Sequence, residues 1–243
     1  SEKMMKVFKS LGVQGVYLNP IFQSPSNHRY DTANYARIDP ELGTEENFAS
    51  LVGALHENGM RVMLDGVYNH ASWQHPFWQD VLKNGEKSAY FDWFCGVSME
   101  VLRGKTSKEL TADVMRGEKP FESFAFAADM PKWNTENPAV QDYLIGTAAE
   151  WTRKYGVDAW RLDVPDEVSF RFLEHFKKRI RETNPEAYII GEIWQKSTAW
   201  LRAGVFDGAM DYPLYFAIRD FAMKRTDGVE TFAERIKDVF LSA

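Results

Sequence analysis

The stretch GVDAWRLDVPD, Gly156 to Asp166, reads as a short buried strand running into a turn, and IIGEIW at 189–194 reads as its neighbour. Within AWRLD the side chains alternate, so Trp160 and Leu162 face one way and Arg161 and Asp163 the other. An arginine two residues before an aspartate on one strand face makes an ion pair, which is expected to keep Asp163 charged and aimed. The run Ala187–Ile193 is apolar until Glu192, a lone carboxyl at its far end. Two carboxyls on neighbouring strand ends are what cleavage of a glycosidic bond needs. Their environments must differ, one bare and one carrying its proton. Arg161 is expected to supply that difference for Asp163, and Ile190, Ile193 and Trp194 an apolar surround for Glu192.

On both sides of this stretch strand and helix alternate. Upstream, Asn137-Pro138 opens a helix with Val140, Tyr143, Leu144 and Trp151 on one face, and Gly156 lies just past its end. Nearer the start, Met4, Val7, Phe8 and Leu11 keep helical spacing up to Gly12, and Val16–Ile21 is a buried strand. Residues 24–35 read as a polar loop. Thr44 caps a helix bearing Phe48, Leu51, Val52 and Leu55, which ends at Asn58-Gly59. Arg61–Val67 is the next strand and runs into Asn69-His70. Downstream come a helix with Leu173, Phe176 and Ile180, the strand at 187–193, and a short strand near Val205–Met210. Helices carrying Leu214, Ile218 and Phe221, then Val229, Phe232, Ile236 and Val239, close the chain. Between Ala71 and Asn134 periodicity is weak, and the segment is far longer than an ordinary connection, so it reads as functional or as a small subdomain.

This alternation predicts an α/β fold on a parallel sheet. Neither G-x-G-x-x-G nor a P-loop follows any strand, and Asn19, Asp65, Asp163 and Glu192 stand at C-terminal strand ends, where a barrel carries its active site. The expected architecture is a partial (β/α)8 TIM barrel, about strands 2 to 6, with an inserted subdomain after the third barrel strand. Residues 1–70 are then the first part of the barrel core, 71–134 the insert and 135–243 the second part. Five strands rather than eight read as a fragment.

A net charge of −6 argues against nucleic acid or an anionic membrane as partner. No apolar run approaches the ~18–20 residues of a membrane span. The single cysteine, Cys95, excludes an intramolecular disulfide and a thiol metal cluster. Eight tryptophans supply either a large core or platforms for sugar rings. Trp93, Trp133, Trp151 and Trp160 read as core, with Trp133 also the one platform candidate. His28, His56, His75 and His175 are expected in loops or on surfaces, and Lys105–Lys119 as a solvated charged segment.

DGVYNH at 65–70, GVDAWRLDV at 156–164 and IIGEIW at 189–194 resemble, in order, three of the four main motifs of the α-amylase family of retaining glycoside hydrolases. SNHRYDTANY at 26–35, MPKWN at 130–134 and FDGAMDYP at 206–213 resemble its cyclomaltodextrinase, neopullulanase and maltogenic-amylase branch. The resemblance implies that Asp163 is the nucleophile, that Glu192 is general acid and then base, and that Arg161 holds Asp163 ionised. It implies that Tyr30 and His70 bind the reacting sugar, Tyr30 by stacking, and that Trp194 lines the acceptor side. Asp65 would order the site with Asp31 and Arg161, and Asn69 matches an asparagine of the family's calcium site. The implied partner is an α-glucan oligosaccharide or cyclodextrin, in a cytoplasmic setting, with room for a homo-oligomer built through missing domains.

Two departures from the pattern matter. The family's third carboxylate, an Asp in a His-Asp motif, has no counterpart up to Ala243, so the chain alone is expected to be inactive. Asp166 and Glu167 stand where typical α-amylases carry Lys-His, which leaves calcium weakly supported and no cofactor expected. Two rival readings remain. Asp65, Asp163 and Glu192 also fit the metal triad of an enolase-type barrel, and the chain also fits a non-catalytic sugar-binding or assembly barrel.

Overall fold

The structure is a computed structural model and describes residues 2–118, 120–125 and 127–241, so Lys119 and Ala243 lie outside it. Among the described residues seven strands form: β1 (Gly15–Leu18), β2 (Phe22–Gln23), β3 (Asn34–Ile38), β4 (Arg61–Gly66), β5 (Ala159–Leu162), β6 (Tyr188–Gly191) and β7 (Gly208–Ala209). Ten α-helices accompany them among the described residues: α1 (Glu2–Ser10), α2 (Glu45–Glu57), α3 (Pro76–Asn84), α4 (Met99–Leu102), α5 (Ser107–Met115), α6 (Pro138–Tyr155), α7 (Phe170–Thr183), α8 (Thr198–Arg202), α9 (Tyr212–Ile218) and α10 (Val229–Leu241).

The main sheet is parallel, in the order β1-β4-β5-β6-β7. Each crossover adds the next strand on the same side, so the order never reverses as it does in a doubly wound sheet. That is the winding of part of a (β/α) barrel, as the alternation predicted.

Local chemistry explains the helix ends. Thr44 accepts from the Asn47 amide while the Asn47 side chain takes the Thr44 N–H, a closed capping box at α2. Asn137 accepts from Ala139, Pro138 occupies the first turn of α6, and Gly156 closes that helix at φ 69. On the outer face of the sheet, Trp160 is fully buried and its indole donates to Thr152 on α6 at 2.9 Å. Phe172, Leu173, Phe176 and Ile180 form the buried stripe of α7. Each such side chain contributes about 1.5–3 kcal/mol when fully buried.

The strands are shorter than the apolar runs that announced them, yet the ladder continues one residue further. The Asp163 amide donates to Gly66 O and the Glu192 amide to Leu162 O, both at 3.0 Å. Backbone bonds therefore hold the residues at the strand ends.

Two regions differ from expectation. The polar loop at 24–35 joins an unforeseen antiparallel pair, β2–β3, with Phe22 opposite Ile38, and its last two residues, Asn34 and Tyr35, already belong to β3. Tyr35 on β3 is wholly buried, its hydroxyl 2.8 and 3.0 Å from the carbonyl oxygens of Val67 and His70, and it accepts from the Trp133 indole at 3.1 Å. Trp133 is thus core, not a sugar platform. The segment after His70 holds α3, α4 and α5. Its His75 is buried rather than exposed, because its Nδ1 caps α3 by accepting from the Phe77 amide.

Candidate active site

Strand register sets the site. Asp65 on β4 lies opposite Arg161 on β5, and Leu162 opposite Gly191 on β6. One residue further, Asp163 and Glu192 occupy equivalent positions on adjacent parallel strands, whose backbones run ~4.8 Å apart. Both side chains face the same side, because one guanidinium touches both. Arg161 Nη1 lies 2.8 Å from Asp163 Oδ1 and 2.7 Å from Asp65 Oδ1, and Nη2 lies 2.6 Å from Glu192 Oε2. All four residues are at least nine-tenths buried.

This corrects the expected division of labour. Arg161 does not serve Asp163 alone; three carboxylates share it. Burial pushes Asp163 up to about 7; Arg161 opposes this, and the like charges of Asp65 and Glu192 add to it. Burial also raises Asp65, against Arg161 and two phenol donors. Nor does Glu192 sit in an apolar surround. Its Oε1 accepts from the Trp194 indole at 3.1 Å and the Tyr212 hydroxyl at 3.0 Å. Trp194 is 60% exposed and stacks on Tyr212 with ring centres 4.7 Å apart, an open aromatic ledge beside Glu192.

Of the remaining expected residues, Tyr30 reaches the cluster. Its hydroxyl donates to Asp65 Oδ2 at 3.0 Å, and the Arg161 guanidinium lies 5.8 Å from its ring centre. Asp31 does not join Arg161. It accepts from the hydroxyls of Ser24 (2.7 Å) and Ser26, and so fixes the loop that delivers Tyr30. His70 is buried and stacked on Phe124 at 4.8 Å, with Nε2 3.0 Å from Tyr30 O. Nε2 must carry hydrogen to donate there, which leaves Nδ1 to accept from Asn69 at 3.4 Å. Burial lowers His70 to about 4, so the ring is neutral and acts as a strut under Tyr30. Val164, next to Asp163, takes φ 43 and ψ 47, a left-handed conformation costly for a β-branched residue, and it precedes Pro165.

At Asn69 the side-chain Oδ1 is buried with no partner, while Nδ2 donates to Glu167 at 3.4 Å, which also holds the Lys132 ammonium at 3.3 Å. The space an enolase-type metal would take between Asp65, Asp163 and Glu192 is filled by the Arg161 guanidinium. Sequence reasoning drew no role for Tyr17 or Tyr212, whose phenols bond Asp65 and Glu192. Tyr212 was visible within FDGAMDYP.

The family profile described as alpha amylase, catalytic domain, matches residues 2–240. The chain belongs to the alpha-amylase family. It is 43% identical over 223 residues to a cyclomaltodextrinase of Bacillus sp, covering 92% of this chain and 38% of that protein. An intracellular maltogenic amylase of Bacillus subtilis (strain 168) is 43% identical over 228 residues, covering 94% and 36%. A solved cyclomaltodextrinase structure superposes with a TM-score of 0.89 at 40% identity, covering 98% of this chain and 39% of that one. The chain thus spans well under half the length of these alpha-amylase family relatives, and the parallel sheet described above is a partial catalytic barrel. Among the described residues no helix is long and apolar enough to cross a membrane.

Proposed function

We propose that this chain carries the double-displacement centre of a retaining α-glucan hydrolase or transglycosidase. Its substrates would be the α-1,4 bonds of cyclodextrins, pullulan or maltooligosaccharides. The observation that carries the reading is the seating of Asp163 and Glu192 at equivalent ends of adjacent strands, both bound to Arg161. Retaining glycosidases need two carboxyls ~5–5.5 Å apart, the spacing of neighbouring strands. The names of the relatives support the substrate class.

In this mechanism Asp163 attacks the anomeric carbon while Glu192 gives its proton to the departing glycosidic oxygen. A glycosyl ester forms on Asp163 and the C–O bond breaks. Glu192 then takes a proton from water or from an acceptor sugar, whose oxygen displaces Asp163 and restores the starting configuration. Tyr30 packs against the reacting sugar and His70 holds Tyr30 in place. The Trp194–Tyr212 ledge takes the leaving or accepting sugar, whose C–H faces pack on the rings. A cytoplasmic, reducing setting goes with the free Cys95 and with the intracellular relative.

Labelling with 5-fluoro-α-glucosyl fluoride tests this. Fluoride departs readily, so the reagent reports the nucleophile even where turnover is lost. Mass spectrometry should find the glycosyl ester on Asp163 in the wild-type chain and none in Asp163→Asn. A label elsewhere, or a strong stabilisation by Mg²⁺ without any by maltose, overturns the reading. We also propose that residues 1–243 alone do not turn over, because the third family carboxylate has no counterpart among them. Hydrolysis of p-nitrophenyl-α-maltoside by this chain would refute that.

A further inference from the structure

Tyr17 belongs to none of the motifs above. It lies on β1 opposite Met63 of β4, and Asp65 is two residues further along the same face of β4. That diagonal is within reach of an aromatic side chain. The Tyr17 hydroxyl donates to Asp65 Oδ2, the oxygen that also accepts from Tyr30 at 3.0 Å, while Oδ1 takes Arg161 Nη1 at 2.7 Å. Both oxygens of Asp65 are therefore engaged, Oδ2 by two phenols and Oδ1 by a guanidinium.

The charges in this pocket do not balance. Among the described residues Asp65, Asp163 and Glu192 face a single cation, Arg161; the other titratable groups turned toward them are the phenols of Tyr17, Tyr30, Tyr35, Tyr68 and Tyr212 and the exposed carboxyl of Asp166 near Glu192. Three bare carboxylates, each at least nine-tenths buried, against one guanidinium repel one another strongly enough that the cluster keeps a proton. The donors decide where it resides. Asp163 takes one donor from Arg161, whereas Asp65 takes three. Hydrogen bonds to the ionised form favour that form.

We propose that Tyr17 is a positioning residue: it holds Asp65 as the fixed anion of the cluster and so leaves the exchangeable proton to the Asp163–Glu192 pair. Its catalytic consequence rests on the double-displacement reading, in which that pair must share one proton. The proton's location itself can be read without any sugar.

The test is a ¹³C-carboxyl NMR titration of the Asp- and Glu-labelled chain, wild type against Tyr17→Phe. In the variant the Asp65 midpoint should move up. The Asp163 midpoint should fall by about half a pH unit or more, because a neighbouring anion is neutralised sooner. A merely structural Tyr17 lowers the melting temperature at most and moves neither midpoint; that result overturns the proposal. Should Tyr17→Phe fail to fold, 3-fluorotyrosine at position 17, a stronger donor, should move both midpoints the opposite way, and unmoved midpoints again overturn it. Glycosyl labelling of a residue other than Asp163, with the midpoints moving as stated, would sink the reaction assignment and leave the role of Tyr17 standing.

Discussion

Two buried clusters in this molecule solve the same desolvation problem in opposite ways. At the strand ends, Asp65, Arg161, Asp163 and Glu192 keep charge by holding a guanidinium between carboxylates. Beside the insert, Tyr35, His75, Trp133 and Tyr143 stay neutral: the His75 ring meets Trp133 edge-on at 5.0 Å and its Nε2 lies 3.2 Å from the Tyr143 hydroxyl. Burial pushes Asp163 up to about 7 and His75 down to about 3, in each case toward the uncharged form. Only the strand-end cluster is built to keep its charge nonetheless. The difference separates a part of the fold that serves chemistry from one that serves stability.

The largest effects should come from the centre of each cluster. Arg161→Met and Trp133→Ala are each expected to cost about 3–5 kcal/mol at pH 8, the first by stranding buried carboxylates, the second by opening a cavity. Urea unfolding at pH 8 and pH 5 distinguishes them. The Arg161 loss should shrink at pH 5 as the carboxyls take up protons, while the Trp133 loss stays; equal pH responses would break the comparison.

Asp163→Asn should act in the other direction. Its folded-state value lies above the unfolded one, so the folded protein binds this proton more tightly, and stability is lost as pH rises from about 4 to about 7. The variant should gain on the order of 1–2 kcal/mol at pH 8 over its standing at pH 4, read from melting temperatures. The smallest effect belongs to His75→Gln. A histidine lowered to about 3 contributes stability above its unfolded value of about 6.5 that fades as pH falls. Removing it should flatten the stability curve between pH 6.5 and 4 by about 1 kcal/mol. A steeper acid limb in the variant would contradict the neutral-core reading of that cluster.

The sheet was legible because its strands and helices carry unambiguous local signals: the Thr44 cap, Asn137-Pro138, Gly156, and apolar runs ending on a carboxyl. The pairing of Asp163 with Glu192 was legible for the same reason, since equivalent strand ends in a parallel sheet must be neighbours. What escaped notice did so for separate reasons. β2 is two residues long and too short for any periodicity, so Tyr35 passed for a loop residue although it is wholly buried. The insert helices did carry local signals that went unread, His75 with Pro76 at the start of α3 and a Thr106–Glu109 capping box at α5. Sharing of Arg161 among three carboxylates depends on side-chain reach across three strands, and an i, i+2 pattern reveals only the pair on one of them. Tyr17 hid inside an apolar strand run, where its hydroxyl gave no sign of a polar partner.

Val164 has a consequence for anyone who evolves this protein in the laboratory. A left-handed valine ahead of a proline costs about 1–3 kcal/mol, and glycine would relieve it. Selection for heat survival alone should therefore drift toward glycine at 164, loosening the peptide next to Asp163. Screens for robust variants would then enrich sturdy proteins with a wandering nucleophile, unless sugar labelling is scored in the same round.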